Sequence, residues 1–348
     1  MLLQWFLFYL FVILLVGWRV KKYTGFLPAF ALTYFLVSGA FVYAYRFNHF
    51  ARNAQHLIPS ASLGSLDVTV AIAAITIFAI YFSIQLTIPS FVKVIRAATI
   101  LNALWVIFNF VARNRDGGNW GYAGLLDTSS LNGAVIAAGV PCVLGFGIWP
   151  IVICLAAIVL SISSVPWGVL LVAMAAYFIK QKNWLLACLT PLILAAGYLF
   201  EQERLFDSSG RFAMYRLFMT EWWKKGLHAF GTGMGSFQFI APIIQCNNHF
   251  MMNENCEGTV IRQLHSDWLQ LVFQFGFIGA SVVLLLCLGA LRRLYHIRGT
   301  GTDGLFAFFL GLLSLGLFSY PMSFAPISVA LAICVVLSYR TYRSEYGA

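Results

Sequence analysis

The stretch LHSDWLQLVFQFGFIGASVVLLLCLGALRR (264–293) combines a polar entry, a long apolar run and two closing arginines. The apolar part exceeds the roughly 20 residues that an α-helix needs to cross the hydrocarbon core of a bilayer. The pattern therefore predicts a transmembrane helix over 265–291. His265 and Asp267 would stand at one membrane surface and the two arginines at the other.

The rest of the chain has the composition of a membrane protein. Of its 348 residues, 61% are hydrophobic and 10% are charged, and the mean hydropathy is +0.83, whereas soluble domains carry roughly 25% charged residues. The sequence predicts an all-α, polytopic transmembrane helical bundle of about 11 spans, forming a single integral membrane domain over 1–348. The predicted spans are 2–18, 25–45, 67–87, 97–112, 133–148, 150–164, 166–179, 184–200, 265–291, 304–321 and 325–339.

Two apolar runs differ from a simple single span. The apolar run 133–179 is too long for one span, so we expect breaks at Pro150 and at SSVP (163–166), because proline cannot continue a helix interior. The first apolar run is followed by RVKK (19–22) rather than by a cleavage site of small residues. That pattern favours a retained helix over a removed signal peptide.

The distribution of cations predicts the orientation. With the N-terminus outside, the short cytoplasmic connections carry most of the lysines and arginines, as the positive-inside rule requires. This arrangement places the C-terminus in the cytoplasm and the long polar segment 201–264 outside the membrane, as a loop with one or two short helices. The net charge of +10 then reflects helix-flanking cations at membrane lipids rather than a nucleic-acid partner, while the surplus in 201–264 suits an anionic ligand.

Two motifs stand out inside this loop. SGRFAMYR (209–216) contains Arg211 and Arg216, which would lie on different faces of one helix. Arginine binds phosphate through two parallel hydrogen bonds, although both residues could instead reach lipid headgroups. GTGMGSF (231–237) allows a close backbone approach or a sharp turn, and it matches no nucleotide-binding loop.

The end of the loop carries a candidate for proton transfer. His265 titrates near neutral pH and could take a proton from a hydroxyl, and Asp267 could orient the imidazole or cap the helix. The alternative is a purely structural histidine at the membrane surface. Gly276 and Gly279 are small enough to let helices pack closely.

A second outer loop, RNRDGGNWGYAGLLDTSSLNG (113–133), clusters Arg113 and Arg115 beside aromatic residues and glycines. Such a mouth suits a sugar, and it equally suits an interfacial loop whose Trp120 and Tyr122 belong to the aromatic belt.

The cysteines divide into two groups. Cys246 and Cys256 lie in the long loop, where a disulfide would form if the loop is extracytoplasmic. The other five lie in apolar runs and are expected to be small core residues. No pair has the spacing of a metal site, so we expect no metal and no cofactor.

The order of these motifs resembles the O-antigen ligase/O-antigen polymerase family. The resemblance rests on SGR with Tyr215 four residues after its arginine, the GTGMGSF cluster, and HSDWLQL followed by FGFIG on a spanning helix, and it is specific over about 209–279. Members are multispan, GT-C-like glycosyltransferases that use polyprenyl-diphosphate-linked glycans outside the bacterial cytoplasmic (inner) membrane.

The resemblance implies a set of roles. His265 would be the base for the acceptor hydroxyl, Arg211 would hold the diphosphate, and Arg216 would assist. The donor would be a polyprenyl-diphosphate-linked glycan, and the acceptor another glycan or the lipid A core. The direct displacement would be metal-independent and would invert the anomeric centre.

One position departs from the family pattern. Members often carry a Ser-Arg pair at the outer end of an earlier span, where this chain reads SISSVPWG with Val165 in place of the arginine. Either Arg113 or Arg115 substitutes, or donor binding differs. A non-catalytic relative that modulates a glycan polymerase, and a lipid-glycan transporter or flippase, are the alternative functions. The nearly uncharged spans weigh against transport, because transporters place charged residues near the bilayer midplane.

Overall fold

The structure is a computed structural model that describes residues 85–112, 122, 124–126, 128–188, 211–224, 229, 231, 237–253, 255–256, 258, 261, 264, 266–319 and 325–346. Within these residues it contains helices, turns and one isolated β-bridge between Met252 and Gly258, and no β-strand. The predicted all-α class is therefore confirmed for the described part of the chain. The predicted spans 2–18 and 25–45, and nearly all of 67–87 and 184–200, lie outside it.

The helices are α1 (Ile88–Val111), α2 (Ser129–Val143), α3 (Ile148–Leu160), α4 (Val165–Lys180), α5 (Arg211–Lys224), α6 (Phe237–Asn247), α7 (Asp267–His296), α8 (Thr302–Phe318) and α9 (Ala325–Tyr346). Two of them, α1 and α7, are long and apolar enough to cross a membrane by length and composition. α2, α3, α4 and α8 are apolar but shorter, so the described helices do not confirm a count of about 11 spans.

The break between α2 and α3 differs from the expectation at Pro150. The chain leaves the helix at 144–147, where Gly145 and Gly147 adopt φ of 84° and 110°, values that residues with a Cβ rarely adopt. Pro150 falls in the first turn of α3, where a missing N–H costs nothing because that turn has no intrahelical acceptor. The expected break at 163–166 coincides with the start of α4 at Val165.

The chain divides into two compact units. Unit 1 takes in α5, α6 and α7 as far as Gly289, and unit 2 takes in α1 to α4 and α8. In unit 2, α2 packs against α1, α3, α4 and α8. Almost every residue of α2 is buried, so this apolar helix is the centre of the unit.

A buried lysine joins two ends of unit 2. The side chain of Lys180, at the last residue of α4, is only 4% exposed. Its ammonium donates to the carbonyl oxygens of Leu294, Tyr295 and Ile297 at 2.5, 2.9 and 2.8 Å, and lies 3.9 Å from a carboxylate oxygen of Asp303. These carbonyls stand at the C-terminal end of α7, where a cation compensates the unpaired oxygens and the helix dipole.

The core of unit 1 is aromatic. Met214, Phe218 and Trp222 are spaced by four residues along α5 and form one buried face. They pack with Phe237, Ile240, Ala241 and Ile244 of α6, with Leu264, and with Phe273 of α7. The two helices of the long loop therefore have a hydrophobic core of their own, which includes the first part of the long apolar helix.

We expect Lys180→Met to lower the free energy of unfolding by about 1–3 kcal/mol, because three carbonyl oxygens, two of them partly buried, lose their donor. The thermal unfolding midpoint of the detergent-solubilised protein measures the change. Lys182→Met is the matched control, since Lys182 is exposed two residues further on. An equal loss of stability in both variants would contradict the bonding role of Lys180.

Candidate functional site

The backbone on both sides of His265 is held by hydrogen bonds. The amide of Leu264 donates to the Gln270 side-chain oxygen at 3.1 Å. Ser266 precedes α7 as its N-cap, since its hydroxyl accepts from the amide of Leu269 at 3.5 Å and its carbonyl accepts from the amide of Gln270 at 3.0 Å. His265 itself lies outside the described residues, and its two neighbours in the chain are the residues held by these bonds.

Asp267 follows this N-cap serine as the first residue of α7 and is 6% exposed. A carboxylate in the first turn of a helix is stabilised by the helix dipole. The role of Asp267 in orienting the imidazole or in capping the helix stays a prediction.

Arg211 and Arg216 of the SGRFAMYR motif lie on one helix, α5. Arg211 is its first residue, and five residues correspond to about 140° of rotation, so the two positions do not share a face. Arg216 is exposed. The side chain of Arg211 lies outside the described residues.

α5 contacts α7 through aromatic rings inside unit 1. The rings of Phe218 and Phe273 meet edge to face with centroids 6.4 Å apart. The rings of Trp222 and Phe277 are 5.4 Å apart. The second half of α5 therefore packs against residues 273–277 of α7.

α7 is not a straight helix. Gly276 adopts φ 67° and ψ −174° inside it, a conformation that is essentially restricted to glycine. The break separates a short segment, 267–275, from 277–296, which has the roughly 20 residues of a membrane span. The segment that follows His265 is therefore a separate short helix in front of the span.

The backbones of Ala229 and Gly231 lie against α7 at this break. A Cβ on Gly231 would overlap the backbone of Gln274 and Gly276, and a Cβ on Gly276 would overlap Ala229 and lie 2.6 Å from the Gly231 nitrogen. The first glycine of GTGMG therefore serves close packing against α7 rather than contact with a ligand. Residues 232–236 lie outside the described part of the chain.

An open groove of about 450 Å³ lies beside Arg216. Its lining residues are Arg216, Met219, Thr220, Trp222, Trp223, Lys224 and Phe277. Trp223 and Phe277 are about half exposed, at 59% and 48%, and Lys224 pairs with Glu221 at 2.8 Å. A guanidinium next to exposed aromatic rings suits an anionic group that carries an apolar chain.

A disulfide joins Cys246 and Cys256, whose Cα atoms are 4.9 Å apart. The buried Gln245 organises the same region, because its side-chain oxygen accepts from the amide of Ile261 at 2.8 Å and its side-chain nitrogen donates to the Phe250 carbonyl at 3.2 Å. The bond and the glutamine together close the chain that leads from α6 towards His265.

In unit 2, the described end of the connection before α2 contacts the end of α3, since the amide of Tyr122 donates to the Leu160 carbonyl at 3.1 Å. α2 itself packs closely against the start of α4, where a Cβ on Gly133 would lie 2.7 Å from Pro166 Cγ. Val165 is the first residue of α4. Arg113 and Arg115, earlier in the same connection, lie outside the described residues.

Among the described residues, no group of three His, Cys, Asp or Glu side chains is placed to hold a metal ion. The chain matches no model of a known protein family and no curated protein.

Three residues of this region carried no sequence signal that singled them out. Gln245 and Gln270 fix backbone amides at a distance of 16 and 6 residues, which no local motif encodes. Trp222 donates its indole N–H to the Phe273 carbonyl at 3.2 Å. That partner lies 51 residues away in the chain, so no local motif encodes it.

We expect five cysteines of the denatured, unreduced protein to react with iodoacetamide and seven after reduction, because Cys246 and Cys256 are bonded and five thiols are free. Intact mass spectrometry of protein from the native membrane counts the adducts. A Cys246→Ser/Cys256→Ser variant should give five under both conditions. Seven adducts before reduction would contradict both the bond and the oxidising, extracytoplasmic location expected for this segment.

Proposed function

We propose that the protein is a glycosyltransferase of the inner membrane that transfers or polymerises a polyprenyl-diphosphate-linked glycan on the outer face. The observation that supports the proposal is the docking of α5 on the first part of α7, where Phe218 contacts the Phe273 ring and Trp222 donates to the Phe273 carbonyl. The reaction needs a cation for the leaving diphosphate and a base for the attacking hydroxyl, and in the sequence Arg211 begins α5 while His265 stands two residues before α7.

The chemistry is a single displacement at the anomeric carbon. His265 takes the proton from the acceptor hydroxyl while its oxygen forms the new glycosidic bond. The bond from the anomeric carbon to the diphosphate oxygen breaks on the opposite face, and configuration inverts. Arg211 stabilises the negative charge that develops on the diphosphate, as fixed cations do in a site with little water.

The surroundings of this pair support the same reading. Hydrogen bonds hold Leu264 and Ser266, the neighbours of His265 in the chain, and a base is effective only when held within reach of the proton. The groove at Arg216 offers apolar surface beside a guanidinium, which suits the polyprenyl end of the donor. Arg113 and Arg115 stay candidates for the arginine that Val165 replaces.

The membrane placement belongs to the same proposal. α1 and α7 are long enough to span a bilayer, and we propose that they are part of the bundle of about 11 spans. The N-terminus would face outside and the C-terminus the cytoplasm. The acceptor is a glycan or the lipid A core, and the reaction uses neither a metal nor a nucleotide because the donor is already activated.

We expect His265→Ala to lower the rate of glycan transfer about 10²–10⁴-fold, because the acceptor hydroxyl loses its base. The protein reconstituted in lipid, with a labelled polyprenyl-diphosphate-linked repeat as donor, provides the measurement. His249→Ala is the matched control, since His249 is an exposed histidine of the same segment. Arg211→Ala should lower the rate about 10²–10³-fold, and Arg211→Lys should restore part of it because only the bidentate geometry is lost.

Full transfer by both alanine variants, at normal protein levels, would refute this assignment of roles. A wild-type protein that forms no product from any lipid-linked repeat, yet binds another glycan enzyme, would support a non-catalytic modulator instead.

We expect the glycan profile of a deletion strain to identify the acceptor. Lipid A core that carries a single repeat would indicate a lost polymerase. Bare lipid A core with donor accumulating outside the membrane would indicate a lost ligase. Electrophoresis of the extracted glycolipids makes the distinction, and donor accumulating only on the cytoplasmic side would contradict an enzyme in favour of a flippase.

A further inference from the structure

We propose that Trp222, Gly231 and Gly276 are positioning residues that lock α5 to the break in α7. This lock would keep the arginine end of α5 and the histidine end of α7 in one fixed geometry. The inference rests on the proposed function for its chemical consequence, but the lock itself is a property of the fold that can be measured separately.

The first part of the lock is a backbone contact without side chains. Gly231 and Gly276 each stand where a Cβ would overlap the other's segment, and both have positive φ, 70° and 67°. Neither position accepts another residue without moving the two chains apart. The contact therefore defines one distance between the loop that follows α5 and the axis of α7.

The second part is a pair of hydrogen bonds across the break. In a continuous helix the Phe273 carbonyl accepts from residue 277, and the amide of Ile278 donates to Gln274. Here Trp222 Nε1 donates to the Phe273 carbonyl at 3.2 Å, and the Ile278 amide donates to the Ala229 carbonyl at 3.2 Å. The segment that follows Arg211 thus supplies partners on both sides of Gly276.

These two bonds are needed because the break at Gly276 removes backbone groups from the helical hydrogen-bond pattern. Near a bilayer, a backbone group that leaves the helical pattern needs a partner from the protein. Trp222 provides one from α5 and Ala229 provides another from the loop that follows. The break is therefore stable only while α5 is docked, and the short helix 267–275 and α5 move as one body.

The lock would affect the rate of transfer because of where Arg211 and His265 stand in the chain. Arg211 begins α5, and His265 stands just before the segment 267–275, so the lock lies about two to three helical turns from both. A single displacement requires the base and the diphosphate clamp to be in place at the same moment. Misplacement by about 1 Å can cost about 10²-fold in rate, so a loosened lock should lower turnover more than donor binding.

Trp222→Phe tests the lock directly. Phenylalanine keeps a ring against Phe277 but removes the indole donor. Trp223→Phe is the matched control, since the neighbouring tryptophan is 59% exposed and also contacts the Phe277 ring, at 6.4 Å. Gly276→Ala is a second, stronger variant, because alanine fits neither the backbone angles nor the space.

We expect two results with the reconstituted protein. Hydrogen exchange of peptides covering 273–280 should be about 2–10-fold faster in Trp222→Phe than in wild type or Trp223→Phe, because one bond at the break is lost. The kcat of transfer should fall about 10²-fold in Trp222→Phe, with KM for the donor within about two-fold.

Unchanged exchange in Trp222→Phe, or an equal change in Trp223→Phe, would overturn the lock. Faster exchange with unchanged kcat would overturn its positioning role, provided that His265→Ala abolishes transfer in the same assay. Full transfer by His265→Ala would overturn the proposed site rather than the lock, so the two failures are distinguishable.

Discussion

The arrangement of unit 1 depends on one backbone contact. At Gly276 the long helix α7 departs from helical geometry, and the chain at Ala229 and Gly231 enters the space that this break opens. Two glycines are needed because either Cβ would separate the segments. The contact divides α7 into the short helix 267–275 and the longer segment 277–296. It also fixes where the chain that follows α5 meets α7.

The aromatic core and the hydrogen bonds extend from this contact. Trp222 serves both, since its ring belongs to the core of Phe218, Phe237 and Phe273 and its N–H donates to a carbonyl at the break. Edge-to-face ring pairs add about 0.5–1.5 kcal/mol beyond the burial of their area, so several such pairs favour the observed packing of α5 against α6 and residues 273–277 of α7.

Much of the helical pattern followed from the sequence. The apolar runs predicted 97–112, 166–179 and 265–291, and each overlaps α1, α4 or α7, because apolar length and proline positions are local properties. α1 begins at Ile88, nine residues before the predicted span. The number of spans is a different matter, since only α1 and α7 have the length and composition to cross a membrane among the described helices. The break at 144–147 was not predicted. Two glycines with positive φ end α2 ahead of Pro150.

The candidate site divides in the same way. The sequence by itself determined that His265 stands at the entry of a long apolar helix, that Arg211 and Arg216 would take different faces of a helix, and that glycines cluster at 231–235. Only the tertiary structure decided that Ser266 occupies the N-cap position of α7, that Gly231 packs against Gly276, and that Trp222 of α5 donates to the Phe273 carbonyl. The physical reason is that periodicity identifies the face a helix buries, whereas the partner of that face depends on how rings and backbones from distant parts of the chain fit together.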